Sequence, residues 1–420
     1  MTRIGLLNIQ YVDNYGANLI SYSMERELGE MGFSEEEVRT IDFRPDGKTV
    51  RREKASWGYN LALSGTAAAI RHTYRKLRKA IRRWIRSTAL FKQARKLLGR
   101  GEIQPDPPPA DAEDRKMRAV NFDAFHRRFL HLTDRRTSAD MAEPDFDVVI
   151  VGSDVVWKPQ RLLTREESRA YFLTDAAGCK KIAYAASIGT ADEAILKRLR
   201  ERYARAIGAF DHISLREKTT REYVQGLLPQ RDVMNCIDPV FLRTKDEYLE
   251  LMGEKETRDQ DYVYVYLMGE NPKAYQYAAQ LAAERGLEIV YYTNYPRLVT
   301  QGISSISDGP IQFLRRVCHA RYVVTDTFHG TALSIILGKQ FITFTRGNMS
   351  IRLEDLLSRL RLTDRFVEVT DDLSIIDREI PYDAVHAEIA EWAEISRVWL
   401  KNAVNVCVGA GGSESTASAQ

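Results

Sequence analysis

The stretch "VVTDTFHGTALSIILGKQF", residues 323 to 341, decides how this chain is built. A β-branched run, Val323-Val324-Thr325, stops at Asp326, and a helical apolar pattern takes over from about His329 to near Gly338. Another short apolar run, "QFITF" (340–344), follows at once. A strand that hands over to a helix and then to a further strand is one unit of an α/β fold.

The same alternation extends in both directions. "YVYVYL" (262–267) reads as a strand, 272–285 as a helix, "LEIVYYT" (287–293) as a strand, 311–319 as a helix and 322–326 as the strand of the opening stretch. Further upstream, "RIGLLN" (3–8), "DVVIVGS" (147–153), "KIAYAAS" (181–187) and "HISLRE" (212–217) are strand-like, with helical patterns at 18–31 and about 192–208. Continuously apolar runs suit parallel strands buried on both faces. Two such blocks predict two Rossmann-like, doubly wound domains. The expected organisation is a first domain over 1–235, a second over 236–384, a helix over 385–405 and a polar, disordered tail over 406–420. The break falls at Asp238-Pro239. A length of 420 residues also argues for more than one core.

Residues from about 44 to 120 do not fit the alternation and read as a basic helical insertion in the first domain. Net charge over the whole chain is +3, yet residues 51–100 hold 15 Lys/Arg and one acidic residue, Glu53. A long helical pattern at about 68–98 places Ile70, Tyr74, Leu77, Ile81, Trp84 and Ile85 on one face, and "PDPPPAD" (105–111) reads as a linker. Such a helix either packs on its own domain or lies peripherally on the anionic inner face of a membrane. Charge alone is compatible with nucleic acid, but no recognition module is visible, so no nucleic-acid partner is expected.

The cysteines Cys179, Cys236, Cys318 and Cys407 lie far apart with no C-x-x-C, which fits a reducing cytosol and no metal knuckle. Neither a signal peptide nor an apolar run of spanning length is seen, and a cytoplasmic location is expected.

In parallel α/β sheets ligands collect at the C-terminal ends of strands. After the first strand comes "NIQYVDNYGANL" (8–19), where Asn14 and Gly16 suggest a tight turn and Asn18 a helix cap. "GSDVVW" (152–157) puts Ser153 and Asp154 at a strand end, with Trp157 as either a flat face for a sugar or a core residue. Arg216 could be aimed into a cleft to meet an anion, or could be an ordinary surface pair with Glu217. In the opening stretch, a helix N-terminus at Gly330 and Thr331 offers N–H groups to phosphate, and His329 can hydrogen-bond or pass a proton. The alternative for His329 is a simple cap.

Taken in order, "NYGA" (14–17), "FDVVIVGSDVVW" (146–157), "YAASIG" (184–189), "SLRE" (214–217), "IDPVFL" (237–242), "TDTFHGTALSIILGKQF" (325–341) and "RLEDLLSRLRLTDR" (352–365) resemble the polysaccharide pyruvyl transferase family. The resemblance implies a GT-B-like arrangement of the two domains across a cleft, with the last helix crossing back. It implies phosphoenolpyruvate as co-substrate, no further cofactor or metal, and a pyruvate ketal placed on a sugar of a cell-surface glycan or its lipid-linked oligosaccharide precursor. The family's histidine falls on His329 and the arginine of its S-x-R-E motif on Arg216. On that footing His329 and Asp154 are the expected catalytic groups. Arg216, Gly330, Thr331, Thr327 and Arg352 are expected around the donor, and Asn14, Ser153 and Trp157 around the acceptor. Many members carry Arg where this chain has Thr327, and Asp where it has Ala17. With Thr327 in place, Arg216, Arg352 or Lys339 would supply the missing charge. Otherwise the protein is a glycosyltransferase that uses a sugar nucleotide, or a non-catalytic glycan-assembly subunit.

Overall fold

The computed structural model describes residues 1–56, 62, 112–189, 192–295, 298–299, 301–345 and 351–411. Two six-stranded, wholly parallel sheets form its frame. The first contains β1 (Ile4–Leu7), β2 (Val38–Thr40), β3 (Val148–Val151), β4 (Lys180–Ala186), β5 (His212–Leu215) and β6 (Val233–Asn235), in the order β2-β1-β3-β4-β5-β6. The second contains β7 (Gln260–Leu267), β8 (Glu288–Thr293), β9 (Ile303–Ser304), β10 (Ala320–Thr325), β11 (Gln340–Phe344) and β12 (Phe366–Val367), in the order β12-β11-β10-β7-β8-β9. In both, strand order reverses near the middle, so helices cover both faces. Central strands are therefore apolar throughout: β1 and β3 are buried at every position.

The two sheets share apolar packing. One continuous cluster joins Ile4, Val148 and Tyr184 of the first to Tyr264, Val323 and Phe341 of the second. Where the domains meet, Tyr15 stacks on Phe313 with centroids 4.3 Å apart. Arg118, on the helix Ala112–Phe129, clasps the joint. Its Nη1 donates to Tyr15 Oη at 2.5 Å and to the carbonyls of Ile306 (3.2 Å) and Asp308 (3.1 Å). The end assigned to the insertion, 120, thus falls inside one continuous helix whose buried Phe122 and Phe125 carry it on to Phe129. The basic pattern 68–98 and the linker 105–111 lie outside the described residues.

A last helix, Tyr382–Gly411, crosses back to the first domain. There the Trp399 ring packs against Tyr184 with centroids 6.3 Å apart, and Arg397 Nε donates to Glu27 Oε2 at 3.2 Å. Helix continues through 406–411, which the sequence reading had assigned to a disordered tail. Val404 and Cys407, three apart and both buried, prolong the apolar stripe past 405. No helix among the described residues is long and apolar enough to cross a membrane.

Candidate active site

The C-terminal ends of β3 and β5 in the first sheet and of β10 in the second converge where the domains meet. Four residues make the centre: Ser153, Arg216, Asp238 and His329, all buried. Asp238 Oδ2 accepts from Arg216 Nη1 at 2.5 Å and from Ser153 Oγ at 2.8 Å, and lies 3.8 Å from His329 Nε2. Its other oxygen caps the short helical turn Pro239–Leu242 through Val240 N, 3.1 Å away. Burial opposes the charge on Asp238, but His329 and Arg216 outweigh it and hold the carboxyl well below the usual range.

Arg216 also donates from Nε to Glu217 Oε1 at 3.0 Å and stacks its guanidinium over the Phe328 ring at 4.3 Å, across the domain boundary. Burial works against its charge, and Glu217, Asp238 and Asp154 together raise its pKa above the ordinary arginine value. Asp154 sits in a left-handed backbone conformation, φ 66°. Its Oδ1 receives Arg352 Nη1 at 3.1 Å from the second domain and lies 3.7 Å from Arg216 Nη2. Despite burial, Arg216, Arg352 and His329 keep Asp154 ionised to lower pH than usual.

The ring of His329 is held from the other side by Gly16. A β-carbon built there would fall 2.0 Å from His329 Nδ1, so only glycine fits against the ring. Two helix N-termini, one from each domain, thereby meet at this histidine.

Several expected residues do other work. Thr327 is the N-cap of the helix Phe328–Ile336: its Oγ1 takes the Gly330 N–H at 2.9 Å and meets Thr325 Oγ1 at 2.9 Å. The Thr331 N–H goes to Thr327 O at 3.1 Å, and the Thr331 hydroxyl to Thr327 O and Thr343 Oγ1. The N–H groups of Gly330 and Thr331 are thus consumed inside the fold, not left for phosphate. Gly330 is small because a β-carbon would strike Thr325 Oγ1 at 2.4 Å and Tyr266 Cδ1 at 2.9 Å. Asn14, rather than Asn18, caps its helix, accepting from Ala17 N at 3.1 Å. Asn18 instead ties down the preceding loop through the carbonyls of Gln10, Val12 and Asn14. Trp157 presents no face to a sugar: it is 0% exposed, stacked on Phe172 and bonded through Nε1 to Tyr171 O at 2.8 Å. Lys339 precedes β11, at the opposite end of the sheet, and pairs with Asp259. Asp238 escaped the sequence reading because an Asp-Pro pair also looks like a plain chain break.

Among solved structures, the chain is similar to a putative UDP-N-acetylglucosamine 2-epimerase from Listeria monocytogenes (12% identity, TM-score 0.41, 93% of this chain and 90% of that one). It is similar also to a UDP-glucosyltransferase from Polygonum tinctorium (10%, TM-score 0.39, 97% and 98%). No curated protein matches the chain. Residues 14–348, which contain all four central residues, match the polysaccharide pyruvyl transferase profile, and the chain belongs to that family of transferases.

Proposed function

We propose that this protein transfers the pyruvyl group of phosphoenolpyruvate to two hydroxyls of one sugar in a cell-surface polysaccharide or its lipid-linked precursor. One observation carries the reading. Two buried nitrogens at the domain boundary, Arg216 Nη2 and His329 Nε2, have no hydrogen-bond partner among the described residues. Buried polar atoms left unmatched cost about 1–3 kcal/mol each, so a site that keeps one of them 3.7 Å from Asp154 and the other 3.8 Å from Asp238 is shaped for a ligand. A small dianion suits it, because Arg216 of the first domain, Arg352 of the second and the His329 imidazole converge on the neighbouring carboxylates Asp154 and Asp238. Entry of the donor displaces Arg352 from Asp154, and the donor's carboxylate or phosphate replaces that pairing.

In the reaction, His329 protonates the methylene carbon of phosphoenolpyruvate, which becomes a methyl group, and the adjacent carbon becomes electrophilic. A sugar hydroxyl attacks that carbon. A second hydroxyl of the same sugar closes the ketal as the C–O bond to phosphate breaks; one hydroxyl proton restores His329 and the other leaves with phosphate. Arg216 holds an anionic group of the donor, while Asp238 orients the imidazole and Arg216 together. Asp154, held ionised by two arginines, is a weak base and serves as the counter-charge that the donor releases. A cytoplasmic enzyme working beside lipid-linked sugars fits the basic stretch at 51–100.

Thermal unfolding with phosphoenolpyruvate, phosphate and sugar nucleotides tests the donor. The expected result is a rise in midpoint with phosphoenolpyruvate that His329→Ala retains in part, with turnover down about a hundredfold or more. Stabilisation by a sugar nucleotide alone would overturn the reading in favour of a glycosyltransferase. A folded His329→Ala with near-normal turnover would remove the catalytic assignment.

A further inference from the structure

Beyond Asp154 the chain runs into the short helices Pro159–Leu162 and Arg165–Tyr171, which carry a second group of charges that the proposed chemistry does not use. Arg161 is 4% exposed. Its Nε donates to Glu167 Oε1 at 3.3 Å, its Nη1 to Val155 O at 2.9 Å, and its guanidinium lies 4.4 Å over the Tyr171 ring. Lys54, at the end of the helix Gly47–Lys54, reaches the other oxygen of Glu167 at 2.8 Å. Beside them Lys158 is half-buried, and its ammonium has no hydrogen-bond or ion-pair partner among the described residues. Three cations therefore face one carboxylate. Asp154, the next acid within electrostatic reach, is occupied by Arg352 and Arg216. Exposed Lys48, Arg51 and Arg52 extend the positive surface outward along the helix Gly47–Lys54.

A half-buried ammonium without a counter-charge is costly to keep. Burial, followed by Arg161 and Lys54, pushes the Lys158 pKa down to about 8, the direction expected of a cation short of an anion. The cluster follows β3, on the rim of the first sheet where Ser153 and Asp154 face the donor. Neighbouring Arg161 cannot turn away, since Glu167, Val155 and Tyr171 fix it, so its charge is preorganised.

We propose that Lys158 and Arg161, backed by Lys54, bind a phosphate of the acceptor, which arrives as a glycosyl phosphate or diphosphate rather than as a neutral finished polysaccharide. Calling the phosphate-bearing ligand the acceptor rests on the pyruvyl-transfer reading; the anion site itself does not. The phosphate would lie on the first domain, with its sugar extending toward Ser153 and Asp154.

Titration calorimetry on the full chain separates these statements. The probes are glucose 1-phosphate, inorganic pyrophosphate, methyl glucoside and phosphoenolpyruvate, each measured with wild type, Lys158→Gln, Lys158→Glu and His329→Ala. Wild type should bind glucose 1-phosphate, and more weakly as salt rises. Lys158→Gln should lose about tenfold or more in that affinity and Lys158→Glu nearly all of it. Phosphoenolpyruvate binding should be unchanged in both, and His329→Ala should bind glucose 1-phosphate normally. Glucose 1-phosphate affinity that is absent in wild type, unchanged in Lys158→Gln, or matched by methyl glucoside overturns the proposal, as does pyrophosphate binding that depends on His329 alone. Loss of phosphoenolpyruvate binding from every protein, with the Lys158-dependent affinity intact, would retire the donor assignment and leave this site standing.

Discussion

Gly16→Ala tests the site most sharply, because it adds one methyl group in one domain and strikes the histidine of the other. Ordinary contact begins at 3.4 Å, while the new β-carbon would sit 2.0 Å from His329 Nδ1 and 2.1 Å from its Cγ, so the ring or the helix must retreat by about 1.4 Å. The ring has little room: Asp238 Oδ2 is 3.8 Å from Nε2, and the Phe328 ring stands at 87° to it. Misplacing a reacting group by about 1 Å costs about a hundredfold in rate. Stability should change much less, since overpacking costs about 1–3 kcal/mol and Ala recovers up to about 1 kcal/mol over Gly in a helix. The assay is phosphate release from phosphoenolpyruvate with glycan acceptor, beside thermal unfolding of the same protein. In a His329→Ala background the clash is gone, so Gly16→Ala should then cost nothing and show strong coupling in a double-mutant cycle. Turnover within about twofold of wild type, or an undiminished stability loss in the double variant, would refute the argument that these two helix ends position the imidazole.

Arg216→Lys should weaken donor binding by about tenfold or more, because a point charge cannot serve Asp238, Glu217 and the donor from one planar fork; an unchanged donor KM would return Arg216 to a structural role. Arg118→Leu leaves the carbonyls of Asp13, Ile306 and Asp308 without their donor and should destabilise the domain joint by about 2–4 kcal/mol, read from the denaturant midpoint; a loss under about 0.5 kcal/mol would show that aromatic packing alone holds the joint. His131 hydrogen-bonds Glu25 at 2.8 Å, and this contact, against partial burial, raises its pKa above the ordinary 6.5. Its stabilising contribution is complete below that value and fades as pH rises through the higher folded-state pKa. The stability gap between wild type and His131→Gln should therefore shrink from acid toward alkaline pH, and a gap independent of pH would contradict this.

The alternation of short apolar runs with helical patterns was enough to predict two parallel sheets, because a strand covered on both faces must be apolar at every position. "VVIV" at 148–151 states that requirement locally. Seven motifs in order were enough for the family, since each is a contiguous stretch that can be read without tertiary contacts. The chain alone did not determine which polar groups face the cleft. Asp238 looked like a chain break until the fold brought it to Arg216 and to His329, 91 positions away. Gly16 looked like a turn glycine until His329, from the other domain, was found against it. Trp157 could have faced cleft or core, and Phe172 and Phe210 decided for the core. Gly330 and Thr331 promised free N–H groups, and the hydroxyl and carbonyl of Thr327 took them. Local patterning reports which face of an element is buried, since burial of apolar area depends on composition along that element. The partner of a single polar atom depends on contacts between residues far apart in sequence, and only the packed structure supplies those.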